Sequence, residues 1–296
     1  MKKILITGGA GTIGSALARC LKKLDTRVLL SGLGRNLGGS SQLYDSWYTC
    51  DISDANSLYL VGKSLGNYDL VIHAAAALPN PQNTLEDLRK INVIGTKNVI
   101  TLCERCGINS FIHLSSIQVV GLPSDEGVFE HTKTNPMSDY HLTKLEAENV
   151  VNQAKMNSIN LRLSSPCGPF IGTTGFIGFV IKHLDLGQDI PLFGKGTRRQ
   201  DYFDIRVLAS VCLQIYDNNT KNTFNLSRNK TYSNLEIIDF VGRITKRKVN
   251  IIWKNKPDEE EGINWIVSNQ KLLQTFKKTP SPSILDSIEA QINERH

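Results

Sequence analysis

The chain has 296 residues, of which 40% are hydrophobic and 21% charged, and its formal net charge is +6. This balance is typical of a folded globular protein and excludes an intrinsically disordered chain. The basic residues are scattered, which excludes a nucleic-acid partner, and no stretch approaches the ~18 apolar residues of a membrane span. We therefore expect a cytoplasmic protein with one large α/β domain and a smaller lobe.

Apolar runs alternate with helical periodicity through the first half of the chain. The predicted strands are residues 3–7, 27–30, 70–73, 110–114 and 160–163, and the predicted helices are residues 11–24, 85–106 and 140–156. The first residues predict a strand that runs into a turn, and not a signal peptide. Strand–helix alternation of this kind predicts an α/β fold, a Rossmann-type doubly wound parallel sheet with helices on both faces.

After Pro166 glycine and proline become frequent and the regular alternation fades. This change predicts a dinucleotide-binding domain over residues 1–165 and a smaller C-terminal α/β substrate-binding lobe over residues 166–296, with some exchange of segments between them. Six cysteines are present. Cys103 and Cys106 form a CxxC on a predicted helix without a second pair nearby, so we interpret them as packing thiols and predict no metal site.

Gly8, Gly11 and Gly14 follow the first strand with the spacing GxxGxxG and open a helix. Glycine at these positions allows a tight turn and lets backbone N–H groups approach a pyrophosphate, and the helix N-terminus adds partial positive charge. Thr12 and Ile13 lie in the same loop. The motif predicts a bound dinucleotide.

The end of the second strand bears on the choice between NAD and NADP. Enzymes that prefer NAD usually place Asp or Glu there to bind the ribose 2′-OH. This chain has Ser31 and Gly32 at that point, followed by Arg35. Arg35 is suited to pair with a 2′-phosphate. An ordinary charged residue in a surface loop is an equally good interpretation. The missing carboxylate favours NADP(H) over NAD(H).

Two further segments fit a cofactor. Asp51 and Ile52 stand where a carboxylate and an apolar side chain contact an adenine ring. Ala74, Ala75 and Ala76 end a predicted buried strand in small residues, which lets the backbone come close to a ligand.

Tyr140 and Lys144 form a YxxxK motif on a predicted helix, so their side chains share one face. A close ammonium lowers the pKa of a tyrosine and adapts it to proton transfer. Ser115 and Ser116 end the preceding strand, where strand C-termini line the crevice of such sheets. A serine hydroxyl there is placed to hold a substrate oxygen.

Together these motifs resemble the extended short-chain dehydrogenase/reductase family, which comprises nucleotide-sugar epimerases, dehydratases and reductases. The resemblance covers essentially the whole chain and rests on residues 7–14, 50–52, 73–76, 92–96, 111–121, 140–144, 161–169, 190–196 and 200–202. It implies that Ser116 is the catalytic hydroxyl. It also implies that Asn92 and Lys144 hold the cofactor and the proton relay, and that Ser164 borders the nicotinamide. We expect a homodimer.

Two departures from the family pattern bear on the reaction and on how a substrate is bound. Dehydratases carry an acidic pair directly after the catalytic hydroxyl, whereas this chain has Ile117 and Gln118, so dehydration is not expected. Many relatives have an arginine that clamps the nucleotide diphosphate where this chain has Gln200, with Arg198 and Arg199 before it. Alternate side chains of an extended segment face the same way, so Arg198 is the better replacement and Arg199 the weaker one.

The expected function is therefore oxidation or reduction at C4 of a nucleotide-linked sugar. A 4-keto reductase that exchanges NADPH is favoured by the missing carboxylate, with Tyr140 as proton donor or acceptor. The alternatives are a 4-epimerase that retains NAD, a reductase of a non-nucleotide small molecule, and a non-catalytic dinucleotide-binding protein.

Overall fold

A computed structural model describes residues 1–40, 42–216, 221–277, 279–280 and 282–294. The chain forms two compact units, each assembled from three pieces. Unit 1 comprises residues 1–121, 133–162 and 209–224, and unit 2 comprises residues 122–132, 163–208 and 225–296. The second piece of unit 1 ends at residue 162, and the predicted domain boundary lies three residues later.

The described residues contain twelve strands and ten α-helices. In chain order the first of them are β1 (Lys3–Thr7), α1 (Thr12–Leu24), β2 (Leu29–Gly34), β3 (Ser46–Thr49), α2 (Ala55–Ser64), β4 (Leu70–His73), α3 (Leu85–Arg89), α4 (Thr96–Arg105), β5 (Ser110–Ser116), α5 (Asp139–Gln153) and β6 (Asn157–Leu163). They continue with β7 (Ser165–Cys167), α6 (Gly175–Asp185), β8 (Ile190–Leu192), β9 (Arg199–Asp204), α7 (Ile205–Tyr216), β10 (Asn222–Leu226), β11 (Thr231–Ser233), α8 (Asn234–Thr245), β12 (Ile251–Trp253), α9 (Gln270–Thr275) and α10 (Ile284–Asn293).

A seven-stranded parallel sheet has the strand order β10-β6-β5-β4-β1-β2-β3. β4 is buried at every position and β1 from Ile4 onward, as expected for parallel strands covered on both faces. β1 pairs with β2 on one side and with β4 on the other, so the strand order reverses beside β1. This sheet confirms the predicted Rossmann-type fold, and the carboxyl ends beside β1 are where such folds bind ligands.

The core of unit 1 packs strand residues against α4. Leu5, Val71 and Phe111 lie on one face of the sheet and belong to the same buried cluster as Val99 and Cys103 of that helix. Cys103 is a buried free thiol. Among the described residues no group of three His, Cys, Asp or Glu is placed to hold a metal ion, and no helix is long and apolar enough to span a membrane.

The predicted helix over residues 85–106 is divided by a π-helical segment, Lys90–Gly95, between α3 and α4. The start of α3 is fixed by a capping box in which Thr84 and Asp87 bond to each other's backbone N–H groups. A π-helical insertion adds a residue to the turn, and such insertions frequently occur at functional sites. Asn92 lies inside this segment.

Unit 2 contains two small sheets, one with the order β11-β9-β7 and one that pairs β12 with β8. Helices α6, α8 and α10 cover them through an apolar cluster that includes Ile181, Tyr202, Ile238 and Ile288. Most of the C-terminal residues thus belong to a second α/β unit, and its role in substrate binding stays a prediction. Residues 254–261 form an irregular, largely exposed segment after β12.

Candidate active site

The glycine-rich loop joins β1 to α1 in a conformation that favours glycine. Gly8 has a φ of +69°, and a Cβ there would lie 2.6 Å from the backbone Cα of Ala75. Gly11 is the N-cap of α1 and supplies no side chain to cap it, while Thr12 and Ile13 form the first helical turn. Backbone N–H groups at such a terminus attract an anion, and a pyrophosphate fits this requirement.

Tyr44 holds the loop from the side. Its buried hydroxyl donates to the carbonyl of Gly9 at 2.8 Å and lies 3.3 Å from that of Gly14. A Cβ on Gly14 would lie 2.3 Å from the carbonyl oxygen of Gly8, so the third glycine of the motif is also required. The sequence offered no signal for Tyr44, because it lies in the segment between β2 and β3.

Trp47 closes the position where enzymes that prefer NAD carry an acid. Gly32 of β2 pairs with Trp47 of β3 in parallel register. A Cβ on Gly32 would lie 2.3 Å from the indole Cζ3, so a side chain there would require the indole to move. Ser31 is buried and accepts a hydrogen bond from the Tyr68 hydroxyl at 2.7 Å. The end of β2 therefore offers no carboxylate.

Arg35 lies exposed after β2, and its charge is close enough to influence Asp51. Partial burial raises the pKa of Asp51, but two hydrogen bonds of 2.8 Å from Ser53 and the charges of Arg35 and Lys90 lower it overall. Asp51 is therefore ionised at neutral pH. Ile52 is 5% exposed and packs in the core, which leaves little of its side chain for the predicted adenine contact.

Ala74, Ala75 and Ala76 follow β4 and are half-buried. The N–H of Ala74 donates to the Thr7 carbonyl at 3.1 Å, and that of Ala75 lies 3.4 Å from the Thr7 hydroxyl. These bonds hold the segment against the glycine loop, and the close approach of this backbone to a ligand stays a prediction.

Asn92 joins this segment to α5. Its Oδ1 accepts from the Ala77 N–H at 2.7 Å, and its Nδ2 donates to the Ala77 carbonyl at 3.1 Å and to the Thr143 hydroxyl at 3.0 Å. Thr143 precedes Lys144. The buried amide thus positions the loop after β4 and the helix that carries the YxxxK motif.

Tyr140 and Lys144 lie one turn apart on α5. Lys144 is buried, and its Nζ donates to the Leu114 carbonyl at 2.5 Å and lies 3.1 Å from Nε2 of His113. Leu114 stands two residues before Ser116 on β5. The contact therefore fixes the first turns of α5 beside the carboxyl end of β5. His113 was not predicted, because a histidine within an apolar strand resembles an ordinary core residue.

Burial is the main influence on the pKa values of Tyr140 and Lys144. It raises the pKa of Tyr140 to about 12 and lowers that of Lys144 to about 8, although Glu148 acts to raise the latter. The expected lowering of the Tyr140 pKa by Lys144 does not occur, because burial outweighs it and the ammonium bonds to β5. At neutral pH Tyr140 is a phenol and Lys144 an ammonium.

Ser116 ends β5 and caps a short 3₁₀ turn, Ile117–Val120, by accepting from the Gln118 N–H at 3.2 Å. Its hydroxyl proton is not used by this bond. Ile117 is buried. The Oγ of the neighbouring Ser115 is buried and has no hydrogen-bond partner in the described part of the chain.

In unit 2, Ser164 is buried and its hydroxyl lies 3.1 Å from Oδ1 of Asp201. Asp201 also accepts from the backbone N–H groups of Arg228 and Lys230 at 2.8 and 3.1 Å. Burial raises the pKa of Asp201 to about 7 against these hydrogen bonds, which lower it. The Ser164 side chain is thus part of a polar cluster inside unit 2.

Arg198 and Arg199 have different carboxylate partners. Arg198 lies 2.8 Å from Glu260 and 3.9 Å from Asp258, whereas Arg199 lies 2.9 Å from Glu236. The Gln200 amide oxygen, in the orientation that satisfies both polar atoms, accepts from Arg198 at 2.6 and 3.1 Å. Arg198 and Gln200 therefore face the same way.

A cavity of about 510 Å³ lies beside Arg198 in unit 2. Its lining includes three aromatic side chains, those of Phe176, Phe179 and Phe193. It also includes two opposite charges, those of Arg198 and Glu260. Arg199 is not part of this lining. Aromatic surface with a few polar groups is typical of small-molecule sites.

The sequence model of the NAD dependent epimerase/dehydratase family matches residues 4–227, which is more than half of the chain. The chain belongs to this family. Membership confirms the resemblance stated from the motifs, and family members are enzymes of nucleotide-sugar epimerase and dehydratase type.

Proteins similar to this chain differ in length. The protein y4nG of Sinorhizobium fredii is 29% identical over 216 residues, which are 72% of this chain and 53% of that protein. The chain thus spans about half the length of this relative. The UDP-glucose 4-epimerase of Lactobacillus helveticus is 27% identical over 275 residues, with 82% of each chain covered.

Solved structures of the same fold are also similar. The UDP-glucose 4-epimerase of Thermotoga maritima with UDP-glucose has a TM-score of 0.85 at 19% identity, covering 99% of this chain and 98% of that one. WbmG of Bordetella bronchiseptica, in complex with NAD and UDP, has a TM-score of 0.84 at 22% identity, covering 98% and 93%. At these identities the likeness establishes the fold alone.

Proposed function

We propose that this chain is an oxidoreductase acting at C4 of a nucleotide-linked sugar, in the direction of 4-keto reduction. The contact of Lys144 with the Leu114 carbonyl supports this most directly, because it ties the α5 helix that carries Tyr140 to the strand that ends at Ser116. A phenol, an ammonium and a hydroxyl at one sheet edge are the groups that interconversion of a ketone and an alcohol requires.

In this proposal Tyr140 donates the proton. Its high pKa keeps it a phenol at neutral pH, so it can protonate the C4 oxygen as the ketone becomes a hydroxyl. The Ser116 hydroxyl holds that oxygen with the proton it does not use towards Gln118. The Lys144 ammonium, held by the Leu114 carbonyl, would hold the cofactor beside this phenol. NADPH, when bound, supplies the hydride.

The residues after Ser116 distinguish this reaction from dehydration. Loss of water needs an acid and a base near the sugar, and the two following residues are Ile117 and Gln118. Ile117 is buried and apolar, and an amide such as that of Gln118 does not titrate. This supports simple hydride and proton transfer.

The residues of unit 1 fit a dinucleotide, and we propose a preference for NADP(H). The glycine at position 8 and the uncapped start of α1 would hold the pyrophosphate. Trp47 crowds the position at Gly32 where a carboxylate would stand, and the exposed Arg35 would pair with a 2′-phosphate. Related structures contain NAD, so NAD(H) is the alternative to be tested.

Arg198 is the proposed ligand for the substrate diphosphate. It lines the cavity of unit 2, whereas Arg199 is paired with Glu236 and does not. Its present partner, Glu260, is a carboxylate that a diphosphate would replace. The planar guanidinium suits bidentate binding to phosphate.

Cofactor release and turnover test the proposal together. The protein is unfolded and any released dinucleotide is identified, and NADPH consumption is then followed with UDP- and dTDP-linked 4-keto sugars. We expect little retained dinucleotide and NADPH-dependent reduction that Tyr140→Phe abolishes. Consumption of NADPH with ketones that lack a nucleotide, and none with the nucleotide sugars, would instead identify a reductase of another small molecule.

A 4-epimerase is the second candidate, because the relatives from L. helveticus and T. maritima carry that name. An epimerase oxidises and then reduces the same carbon, so it retains its dinucleotide. Stoichiometric bound NAD, together with interconversion of 4-epimeric UDP-sugars without added cofactor, would favour this function over the reductase.

A further inference from the structure

A chain of buried polar groups lies behind Lys144. His113 on β5 is fully buried, with its Nε2 3.1 Å from Nζ of Lys144 and its Nδ1 2.9 Å from Oδ1 of Asn160 on β6. Asn160 is also buried, and its Nδ2 donates to Oδ1 of Asn152 on α5 at 3.0 Å. An apolar side chain at position 113 would avoid the free-energy cost of burying an imidazole. The presence of a histidine there therefore points to a role for its hydrogen bonds.

The contacts at both ends of the imidazole specify one tautomer. An ammonium donates hydrogen bonds and cannot accept them, so the nitrogen that faces Lys144, Nε2, must be the bare one. Asn160 uses its amide N–H towards Asn152 and therefore presents its oxygen to His113, so Nδ1 carries the proton. Burial, followed by the charge of Lys144, holds the pKa of His113 well below its usual range, which keeps the ring neutral.

The neighbouring His73 has the opposite arrangement. The Thr96 hydroxyl donates to the Asn92 carbonyl at 2.6 Å, so its oxygen accepts from Nε2 of His73 at 2.9 Å. Nδ1 of His73 is then the bare nitrogen and faces the Thr7 hydroxyl at 2.7 Å. The two rings lie 5.9 Å apart. Of these two histidines, only His113 has a hydrogen bond with Lys144 in the described part of the chain.

We propose that His113 is a positioning residue for Lys144: its bare Nε2 accepts one ammonium N–H, fixes the lysine on β5 and stabilises its charged form. The Leu114 carbonyl takes a second N–H, which leaves the third N–H for the cofactor. This positioning role rests on the proposed function, but the hydrogen bond between His113 and Lys144 can be measured without a substrate.

Other charges near Lys144 do not replace this hydrogen bond. On its own helix, Glu148 raises the lysine pKa, and that carboxylate is itself bonded to the buried Arg162 at 2.8 and 3.0 Å. On β4, burial lowers the pKa of His73 to about 3, so this ring is neutral at physiological pH. His113 is the group whose lone pair directly contacts the ammonium, so its removal should disfavour the charged form.

The first test determines the tautomers by nuclear magnetic resonance of the histidine ring nitrogens in the intact protein. We expect the proton on Nδ1 for His113 and on Nε2 for His73, which serves as an internal control. A proton on Nε2 of His113 would overturn the proposal, since that ring could not accept from Lys144.

The second test compares His113→Phe, which keeps the bulk, with His113→Gln, which keeps an acceptor near the position of Nε2. The Lys144 side-chain resonance, assigned by its loss in Lys144→Met, is titrated in each folded variant. We expect the Lys144 pKa to fall by about one unit in the Phe variant, as expected for a lost charge-assisted hydrogen bond, and to recover in the Gln variant. His73→Phe, which removes an imidazole without a Lys144 contact, should leave it unchanged.

Turnover provides the functional readout. The alkaline limb of the kcat profile should move to lower pH in His113→Phe, with about a tenfold loss above the lysine pKa, and should return in His113→Gln. An unchanged Lys144 pKa in a folded Phe variant overturns the inference. If the tautomers and the lysine shift are as expected but no nucleotide sugar reacts, the positioning role stands and the proposed function fails. If His113→Phe does not fold, the tautomers and the Gln variant decide.

Discussion

Replacing Gly8 by alanine tests the geometry of the glycine loop, because two separate costs act at this position. The residue has a φ of +69°, and an added Cβ would lie 2.6 Å from both Cα and N of Ala75. The left-handed conformation costs a non-glycine residue about 1–2 kcal/mol. Overlap with backbone atoms, which cannot rotate away, adds about 1–3 kcal/mol by analogy with overpacked cores. We expect Gly8→Ala to lower the free energy of unfolding by about 2–5 kcal/mol, the sum of these two costs.

Two other glycines separate these costs. Gly107 has a φ of +70° with nothing within 4 Å of its added Cβ, so Gly107→Ala should cost only the conformational term of about 1–2 kcal/mol. Gly66 has an ordinary φ and open surroundings, so Gly66→Ala should stay within about 0.5 kcal/mol of the parent. The difference between Gly8→Ala and Gly107→Ala measures the close approach of Ala75.

Urea unfolding followed by circular dichroism provides the three values, and calorimetric titration with NADP(H) and NAD(H) shows which variants still bind a dinucleotide. Gly8→Ala alone should weaken binding, by more than about tenfold, because the loop must move away from Ala75 and the backbone donors move with it. Equal destabilisation of Gly8→Ala and Gly107→Ala, with dinucleotide affinity retained in both, would refute the assignment of this loop as the pyrophosphate site.

Four further outcomes follow from the site. Tyr140→Phe should lower kcat by about 10²–10⁴-fold while dinucleotide affinity stays near that of the parent, since the phenol transfers a proton; turnover within about threefold of the parent would contradict the assignment. Arg35→Ala should weaken NADP(H) by at least about tenfold in a calorimetric titration and leave NAD(H) unaffected, and equal losses for both would argue against a 2′-phosphate contact. Arg198→Ala should raise KM for a nucleotide sugar at least about tenfold and Arg199→Ala much less, whereas unchanged KM in both variants would remove the diphosphate clamp. The rate should fall as the pH rises through about 8, because Lys144 is charged below its pKa and neutral above it; a flat profile across that range would show that its charge is not needed.

The strands that sequence predicted best are those whose burial is continuous. β1 and β4 have the predicted bounds because Val, Leu and Ile fill most of each strand and Gly or Ala follows. β2 was predicted to end at Leu30 but continues to Gly34, since its glycines face Trp47 and stay in the sheet where they would otherwise indicate a turn. β3 was not predicted, because four residues at a sheet edge, none of them fully buried, carry no apolar pattern.

The candidate site was also predicted only in part from the sequence. Motif spacing located the glycine loop and the pair on α5, since both depend on local geometry. It did not show the π-helical segment around Asn92, whose side chain bonds to Ala77, 15 residues away along the chain. Nor did it show His113 behind Lys144. Contacts between side chains of different elements leave no periodic signal in one sequence.

The packing of Trp47 onto Gly32 has a consequence for how cofactor choice changes over evolutionary time. An acid at position 32 requires a smaller neighbour at position 47, because the indole occupies the space of the added Cβ. Losing the indole first would leave a gap beside Tyr44 and the glycine loop. Either single substitution therefore disturbs this packing before the pair is complete. Under the proposed NADP(H) preference, a change to NAD(H) through an acid at position 32 therefore requires two coupled substitutions.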